Sequence, residues 1–255
     1  MTTIALFCFS GTGNTRWLSG TLASRLRDGG ADVDLFSLED AFTLTKRYDR
    51  YLLAHPVYGA HVPRIVIEKV QTLLSGDRHV SVITTFGYVD ALGYFAEKKA
   101  LGRPVDAYYH VRMFNNITTP EMKVPVKPPE KRLEARARLE TRIGRIAASI
   151  LSGRRKIEGI GPQLLAGIGV RKHFHERIQS FYRTLGTDQD RCTRCGLCIR
   201  ECPTHSIEDR DGVFSFHATC TACMRCYNHC PVQAITISGA YADPETFPRY
   251  RGPWE

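Results

Sequence analysis

The chain has 255 residues, of which 43% are hydrophobic and 24% charged, a composition typical of a globular protein with one good core and a small second domain. No apolar run approaches about 18 residues, and the N-terminus has neither a basic start nor a small-residue cleavage site, so we expect no membrane span, no secretory signal and a cytoplasmic location. The net charge is +9, and the excess lies in residues 116–187, which hold 15 Lys and Arg against 6 Asp and Glu.

The first predicted elements are a strand, a helix and a second strand. Residues 3–9 form a short apolar run that predicts a buried strand, and the polar stretch Ser10–Thr15 follows it. Apolar residues then recur at helical spacing over 17–26, and Gly29-Gly30 predicts the end of that helix. Residues 32–36 predict the second strand.

Strands and helices continue to alternate as far as residue 114. The other predicted elements are strands over 51–54, 80–84 and 105–114 and helices over 64–74 and 90–102. Alternation at these lengths predicts a parallel sheet covered on both faces, and five strands fit the doubly wound order 2-1-3-4-5. We therefore expect a first domain over residues 1–117.

Residues 118–187 are predicted to be a basic, largely helical linker. Four prolines within 118–129 indicate an extended crossing, after which 130–151 and about 171–185 read as amphipathic helices separated by a glycine-punctuated stretch. The positive charge fits either a solvated helix face or a docking patch for an acidic redox partner. The segment lacks the interleaved aromatics of a single-strand binder and matches no DNA-reading motif, so nucleic acid is not expected.

Eight of the nine cysteines form an internal repeat within the last region, residues 188–255. The spacing Cys-x-x-Cys-x-x-Cys-x-x-x-Cys-Pro occurs twice, beginning at Cys192 and at Cys220. Three thiolates of one loop can hold three corners of a [4Fe–4S] cluster, and the fourth cysteine reaches the other cluster. The pattern predicts one cluster on Cys192, Cys195, Cys198 and Cys230 and another on Cys220, Cys223, Cys226 and Cys202. Zinc ribbons and disulfide frameworks fit this spacing poorly. The ninth cysteine, Cys8, reads as a small buried apolar residue.

The loop after the first strand resembles the phosphate loop of flavodoxins, whose pattern is Thr/Ser-x-Thr-Gly-x-Thr. A loop that opens a helix presents free backbone N–H groups to a phosphate, and no lysine is needed for the monophosphate of FMN. The loops after the third and fourth strands resemble the flavodoxin loops that contact the flavin ring. The resemblance implies FMN binding by Ser10, Gly11, Thr12, Gly13, Asn14, Thr15, Pro56, Val57, Tyr58, Gly59, Thr85, Phe86, Gly87 and Tyr88.

The whole chain resembles single-chain flavodoxin–ferredoxin fusion proteins of anaerobic bacteria and archaea. The resemblance implies an α/β fold: a flavodoxin-like five-stranded parallel sheet, a helical linker and a small α+β ferredoxin domain with two [4Fe–4S] clusters. It also implies an electron carrier that relays electrons between the clusters and FMN for protein redox partners. A flavin-dependent reductase of a small molecule, fed through the clusters, is the alternative, with His55 or His61 as a candidate proton donor. The oligomeric state stays open, a homodimer included.

Overall fold

The computed structural model describes residues 1–44, 46–74, 79–87, 93–161 and 163–254, without the side chains of 163–166. The first half of the chain forms a five-stranded parallel sheet of order β2-β1-β3-β4-β5. Its strands are β1 (Thr3–Cys8), β2 (Asp32–Ser37), β3 (Arg50–Pro56), β4 (Val80–Phe86) and β5 (Val105–Arg112). The predicted fold class and strand order are confirmed.

Four helices cover the two faces of the sheet, three of them as crossovers between parallel strands and the fourth after β5. They are α1 (Asn14–Asp28), α2 (Arg64–Leu73), α3 (Gly93–Leu101) and α4 (Pro129–Leu151). Leucines of α1 and isoleucines of α4 share one core with the strands, and α2 supplies Ile65, Val66 and Val70 to the core on the other face. The basic helix α4 therefore buries an apolar stripe against the sheet and exposes most of its arginines, with Arg132 as the buried exception.

The second linker helix differs from the prediction. Helix α5 spans Gln163–Gln179 instead of 171–185, and a 3-10 helix at Phe181–Thr184 follows it. Two glycines lie inside α5. The helix tolerates them because a glycine within a helix costs only about 1 kcal/mol of stability relative to alanine. The end of the predicted helix is wrong because Leu185–Thr187 (β6) pairs with Ile235–Ile237 (β9) instead.

The last region is small and built around the cysteines. It contains the antiparallel pairs β6–β9 and β7–β8, with β7 at Ile207–Arg210 and β8 at Val213–Phe216, and the short helices α6 (Leu197–Arg200) and α7 (Arg225–His229). Tyr227, Met224, Ile235 and Ile237 form its own small apolar core. None of the helices in the described residues is both long and apolar enough to cross a membrane.

Candidate functional site

The loop between β1 and α1 is buried although it is polar. The hydroxyl residues Ser10, Thr12 and Thr15 are at most 3% exposed, and no acidic residue occupies the first turn of α1. The Thr15 hydroxyl lies 2.7 Å from the Thr85 hydroxyl, which joins this loop to the end of β4. Gly13 has φ of +107°, a conformation that favours glycine. The loop therefore combines buried hydroxyls with the positive end of a helix dipole, which suits an anion.

The ends of β1, β3 and β4 bring three predicted loops to one cavity at the carboxyl edge of the sheet. Of the residues predicted to bind FMN, the cavity is lined by Ser10, Gly11, Thr12, Asn14, Thr15, Pro56, Val57, Tyr58, Thr85, Phe86 and Gly87. Gly13 and Gly59 belong to the same loops without lining it, and Tyr88 lies outside the described residues.

A fourth loop of this cavity, the one after β5, was not among those predicted from the sequence. Phe114, Asn116 and Ile117 line the cavity, and the Asn116 amide donates to the Thr12 hydroxyl at 2.6 Å. The sequence could have indicated this loop, because all strands of a parallel sheet end at the edge where such sheets bind ligands.

The two histidines near the second loop have different environments. His55 is fully buried, and its Nε2 lies 3.0 Å from a carboxylate oxygen of Glu97, which is also buried. His61 contacts the Gly59 carbonyl through Nδ1 and His175 of α5 through Nε2. Burial lowers the pKa of His61, and the nearby His175 and Arg171 act in the same direction. His55 therefore belongs to the core and His61 to the contact between this loop and α5.

Tyr58 links the cavity to the cysteine-rich region. Its side chain is buried, its hydroxyl lies against Gly11, and burial raises its pKa well above the ordinary value. A Cβ atom added to Gly11 would overlap that hydroxyl and would lie 2.7 Å from the Cys223 carbonyl oxygen. Glycine is thus required at position 11 by a close approach of two regions of the chain.

The eight repeat cysteines surround two separate cavities. The inner cavity is lined by Cys202, Cys220, Cys223 and Cys226, and the outer cavity by Cys192, Cys195, Cys198 and Cys230. Each cavity thus takes three cysteines from one half of the repeat and the fourth from the other half, as the spacing predicts. None of the nine cysteines forms a disulfide. Among the described residues, no three His, Cys, Asp or Glu side chains converge tightly enough for a single metal ion.

The backbone repeats along with the cysteines. Residues 28 positions apart adopt the left-handed conformation in both halves, although most of them are not glycine. The pairs are Arg194 and Ala222, Gly196 and Met224, and His205 and Gln233. Each non-glycine residue in this conformation costs roughly 1–2 kcal/mol. Because the costs recur at matched positions, we attribute those at Arg194, Ala222 and Met224 to the wrapping of three cysteines around one cavity, whereas His205 and Gln233 follow the fourth cysteine of each half.

The two cavities differ in exposure and in polar contacts. Cys223 of the inner cavity is buried, whereas Cys195 of the outer cavity is exposed. Both fourth cysteines accept a backbone N–H at 3.2 Å, from Ser206 to Cys202 and from Ala234 to Cys230. The inner cavity adds an N–H contact from Ala222 to Cys220 at 3.4 Å. Burial raises the pKa of the Cys223 thiol to about 12.

The C-terminal tail closes the side of the site, another feature the sequence did not reveal. Tyr250 is buried, and its hydroxyl donates to the Asn14 side chain at the start of α1. The buried Arg132 of α4 donates to the Gly252 carbonyl at 2.7 Å. The Trp254 ring packs edge-on against Trp17 of α1. The tail therefore contacts both α1 and α4 beside the first loop and holds them together.

The donor sets fit the groups that the sequence implies. Each cavity offers four thiols that can bind one [4Fe–4S] cluster, and the first loop offers hydroxyls and backbone N–H groups that suit a phosphate. Gly11 leaves room for the close approach of Tyr58 and Cys223, so a cofactor on this loop would lie beside the inner cavity.

Comparison with known families identifies the last region. Residues 186–208 and 217–236 match the family described as the 4Fe-4S binding domain, and the two segments coincide with the two halves of the repeat. The preference for iron–sulfur ligation over zinc and disulfides is confirmed. No curated protein matches the chain significantly.

Three solved flavodoxins illustrate the structural likeness of the sheet region. The two-electron reduced flavodoxin of Megasphaera elsdenii is 22% identical, with 47% of this chain and 93% of that chain covered and a TM-score of 0.37. The Fusobacterium nucleatum flavodoxin bound to flavin mononucleotide is 14% identical, with 60% and 99% covered and a TM-score of 0.37. Flavodoxin 2 of Bacillus cereus is 11% identical, with 60% and 99% covered and a TM-score of 0.39.

These TM-scores are all below 0.5, so the assignment of the sheet rests on its strand order, which is the flavodoxin-like order. The chain thus joins a flavodoxin-like α/β domain to a 4Fe-4S binding domain.

Proposed function

We propose that this protein is an electron-transfer protein that relays electrons between two [4Fe–4S] clusters and FMN for protein redox partners. One observation carries the proposal: a cavity lined by four cysteines lies directly against the loop that opens α1. When bound, the clusters exchange electrons one at a time, whereas FMN can exchange two.

The flavin would be held by the three loops that meet at the carboxyl edge of the sheet. The phosphate would bind the hydroxyls and N–H groups of Ser10–Thr15, and the Thr85 and Asn116 side chains buttress two of those hydroxyls. Loops 56–59 and 85–87 would border the ring system. With Phe114 and Ile117 at the same cavity, the site offers both polar and apolar walls.

The two clusters would have separate roles because their cavities face different surroundings. Cys195 is the exposed cysteine, so the outer cluster is the one that a protein partner can approach. Two exposed arginines flank it: Arg194 precedes it in the chain, and Arg200 donates to the Cys195 carbonyl at 2.8 Å. A partner with an acidic rim complements these charges.

The inner cluster would be the one that exchanges electrons with FMN. Cys223 is buried against Gly11 and Tyr58, so the inner cavity and the candidate flavin site of one chain are neighbours. A route from the outer cluster to the inner cluster and then to the flavin would stay within a single chain.

The test is iron and flavin analysis of full-length protein prepared without oxygen. We expect about eight irons and one FMN per chain. Protein that contains zinc in place of iron, or that releases no flavin on denaturation, contradicts the proposal. Electron transfer from the reduced clusters to the flavin should stay independent of protein concentration, because the route lies within one chain.

A further inference from the structure

One residue connects the loop that opens α1 with the inner cysteine cavity, and the cysteine repeat did not predict this residue. Arg225 lies between the inner-cavity cysteines Cys223 and Cys226, and the matching position in the outer half, 28 residues earlier, is Leu197. Its side chain is 7% exposed although it carries a full positive charge. A charged residue is buried only where its partners compensate for lost water.

All five N–H donors of the Arg225 guanidinium are used. Nε donates to the Gly11 carbonyl at 2.8 Å, and Nη2 donates to the Ser10 carbonyl at 2.6 Å. The Glu39 carboxylate accepts one bond from each Nη, at 2.7 and 2.6 Å. The fifth bond goes to the Glu201 carbonyl at 2.8 Å. Arginine is the side chain whose planar fork can satisfy such a set.

The bonds to Ser10 and Gly11 fix the direction of two peptide planes. The described residues contain no cis peptide bonds, and in a trans peptide the C=O and the following N–H point in opposite directions. With both carbonyls turned toward Arg225, the N–H groups of Gly11 and Thr12 point away from it. Gly11 and Thr12 line the cavity at the start of α1, and Arg225 is not among its lining residues.

We propose that Arg225 is a positioning residue for FMN, which aims the N–H group of Thr12 at the phosphate by holding the Ser10 and Gly11 carbonyls from behind. The Gly11 N–H, turned the same way, faces the Tyr58 hydroxyl in the same cavity. This inference rests on the proposed function. It has a consequence for assembly, because Arg225 is held in place by a loop whose cysteines bind the inner cluster. Cluster assembly and FMN binding therefore favour each other, and the coupling is reciprocal.

The test is FMN affinity of the full-length, iron-loaded protein, measured by fluorescence titration after mild removal of the flavin, with iron content as the second readout. Arg225→Gln should keep about eight irons and weaken FMN binding at least about tenfold. Arg225→Lys keeps the charge opposite Glu39 but lacks the fork, so it should be folded and nearly as weak. The matched controls, Arg200→Gln and Arg200→Lys, remove a comparable arginine–carbonyl bond beside the outer cavity and should leave FMN affinity unchanged.

Three results would overturn the inference. They are unchanged FMN affinity in iron-loaded Arg225→Gln, full rescue by Arg225→Lys, which would indicate a simple charge effect, and an equal loss in the Arg200 controls. The proposed function fails separately, if the unmodified protein takes up no FMN. If it binds FMN and Arg225→Lys binds equally well, only the role of Arg225 is refuted.

Discussion

The inner and outer cysteine cavities share one backbone pattern and differ in what surrounds it. Both have the same cysteine spacing, the same left-handed positions and an N–H from the fourth residue after the Cys-Pro cysteine. Tyr58 and Gly11 of the sheet domain pack against the inner cavity, and Arg225 beside that cavity bonds to Gly11. The outer cavity, by contrast, leaves Cys195 exposed. The repeat of the cysteine spacing therefore fixes which four cysteines line each cavity, and packing against a second domain differentiates the two cavities.

Loss of a cluster should produce the clearest difference between the two cavities in their effect on FMN binding. We expect Cys198→Ala, in the outer cavity, to lose about four irons and keep FMN. Cys226→Ala, at the matched inner position, should lose a similar amount of iron and also bind FMN at least about tenfold more weakly, because the Arg225 loop loses its anchor. Iron analysis and flavin titration of both variants measure this. Equal loss of FMN in both variants would show that the outer cavity also supports the flavin loops.

The C-terminal tail should matter on the inner side only. Tyr250 is buried, its N–H donates to the Asn228 side chain of α7 at 3.0 Å, and its hydroxyl reaches Asn14. Removing a buried aromatic ring costs about 3–5 kcal/mol, so Tyr250→Ala should strongly lower the thermal midpoint and weaken FMN binding. Tyr241→Ala is the control, since Tyr241 is 38% exposed and packs on Arg191 in the outer half. A similar loss in the control would remove the distinction.

The outer cavity should respond to charge reversal at its rim. Arg194→Glu combined with Arg200→Glu should slow electron exchange with an acidic carrier protein about tenfold at low ionic strength. The difference should fade at high salt, because screening shortens the range of exposed charges. Stopped-flow measurement over a salt series tests this. Arg138→Glu on α4 is the control for the basic segment 116–187, and a larger effect there would move the docking surface to that helix.

The smallest expected effect comes from relieving the left-handed residues. Ala222→Gly in the inner half should stabilise the protein by about 0.5–1 kcal/mol, which corresponds to roughly 1–4 °C in thermal midpoint. Arg194→Gly in the outer half should gain less, because it also removes the guanidinium that packs on Gly212. Differential scanning calorimetry of iron-loaded protein measures both. A fall in the midpoint for Ala222→Gly would show that this position is unstrained.

Much of the fold could be predicted because its signals are local. The alternation of apolar runs and helical periodicity predicts five strands in a parallel sheet, and the cysteine spacing predicts which four thiols share a cavity. The predicted end of the second linker helix, at about residue 185, was wrong. Residues 185–187 instead pair with a strand about 50 positions later in the chain, and this pairing outweighed the helical periodicity. The predicted flavin loops do meet at one edge, and their roles in FMN binding stay predictions.

The contacts that join the domains could not be predicted. An arginine between two cysteines reads as a solvated charge, yet Arg225 bonds to Gly11 over 214 positions of sequence. Tyr250 likewise reaches Asn14 over 236 positions.

The sequence by itself determined which cysteines line each cavity, the strand order and the loop that opens α1, because each follows from spacing along a short stretch of chain. Only the tertiary structure decided which cavity is buried beside that loop and which one faces solvent. The two halves of the repeat are equivalent in spacing, so their difference arises from the surface on which each half packs.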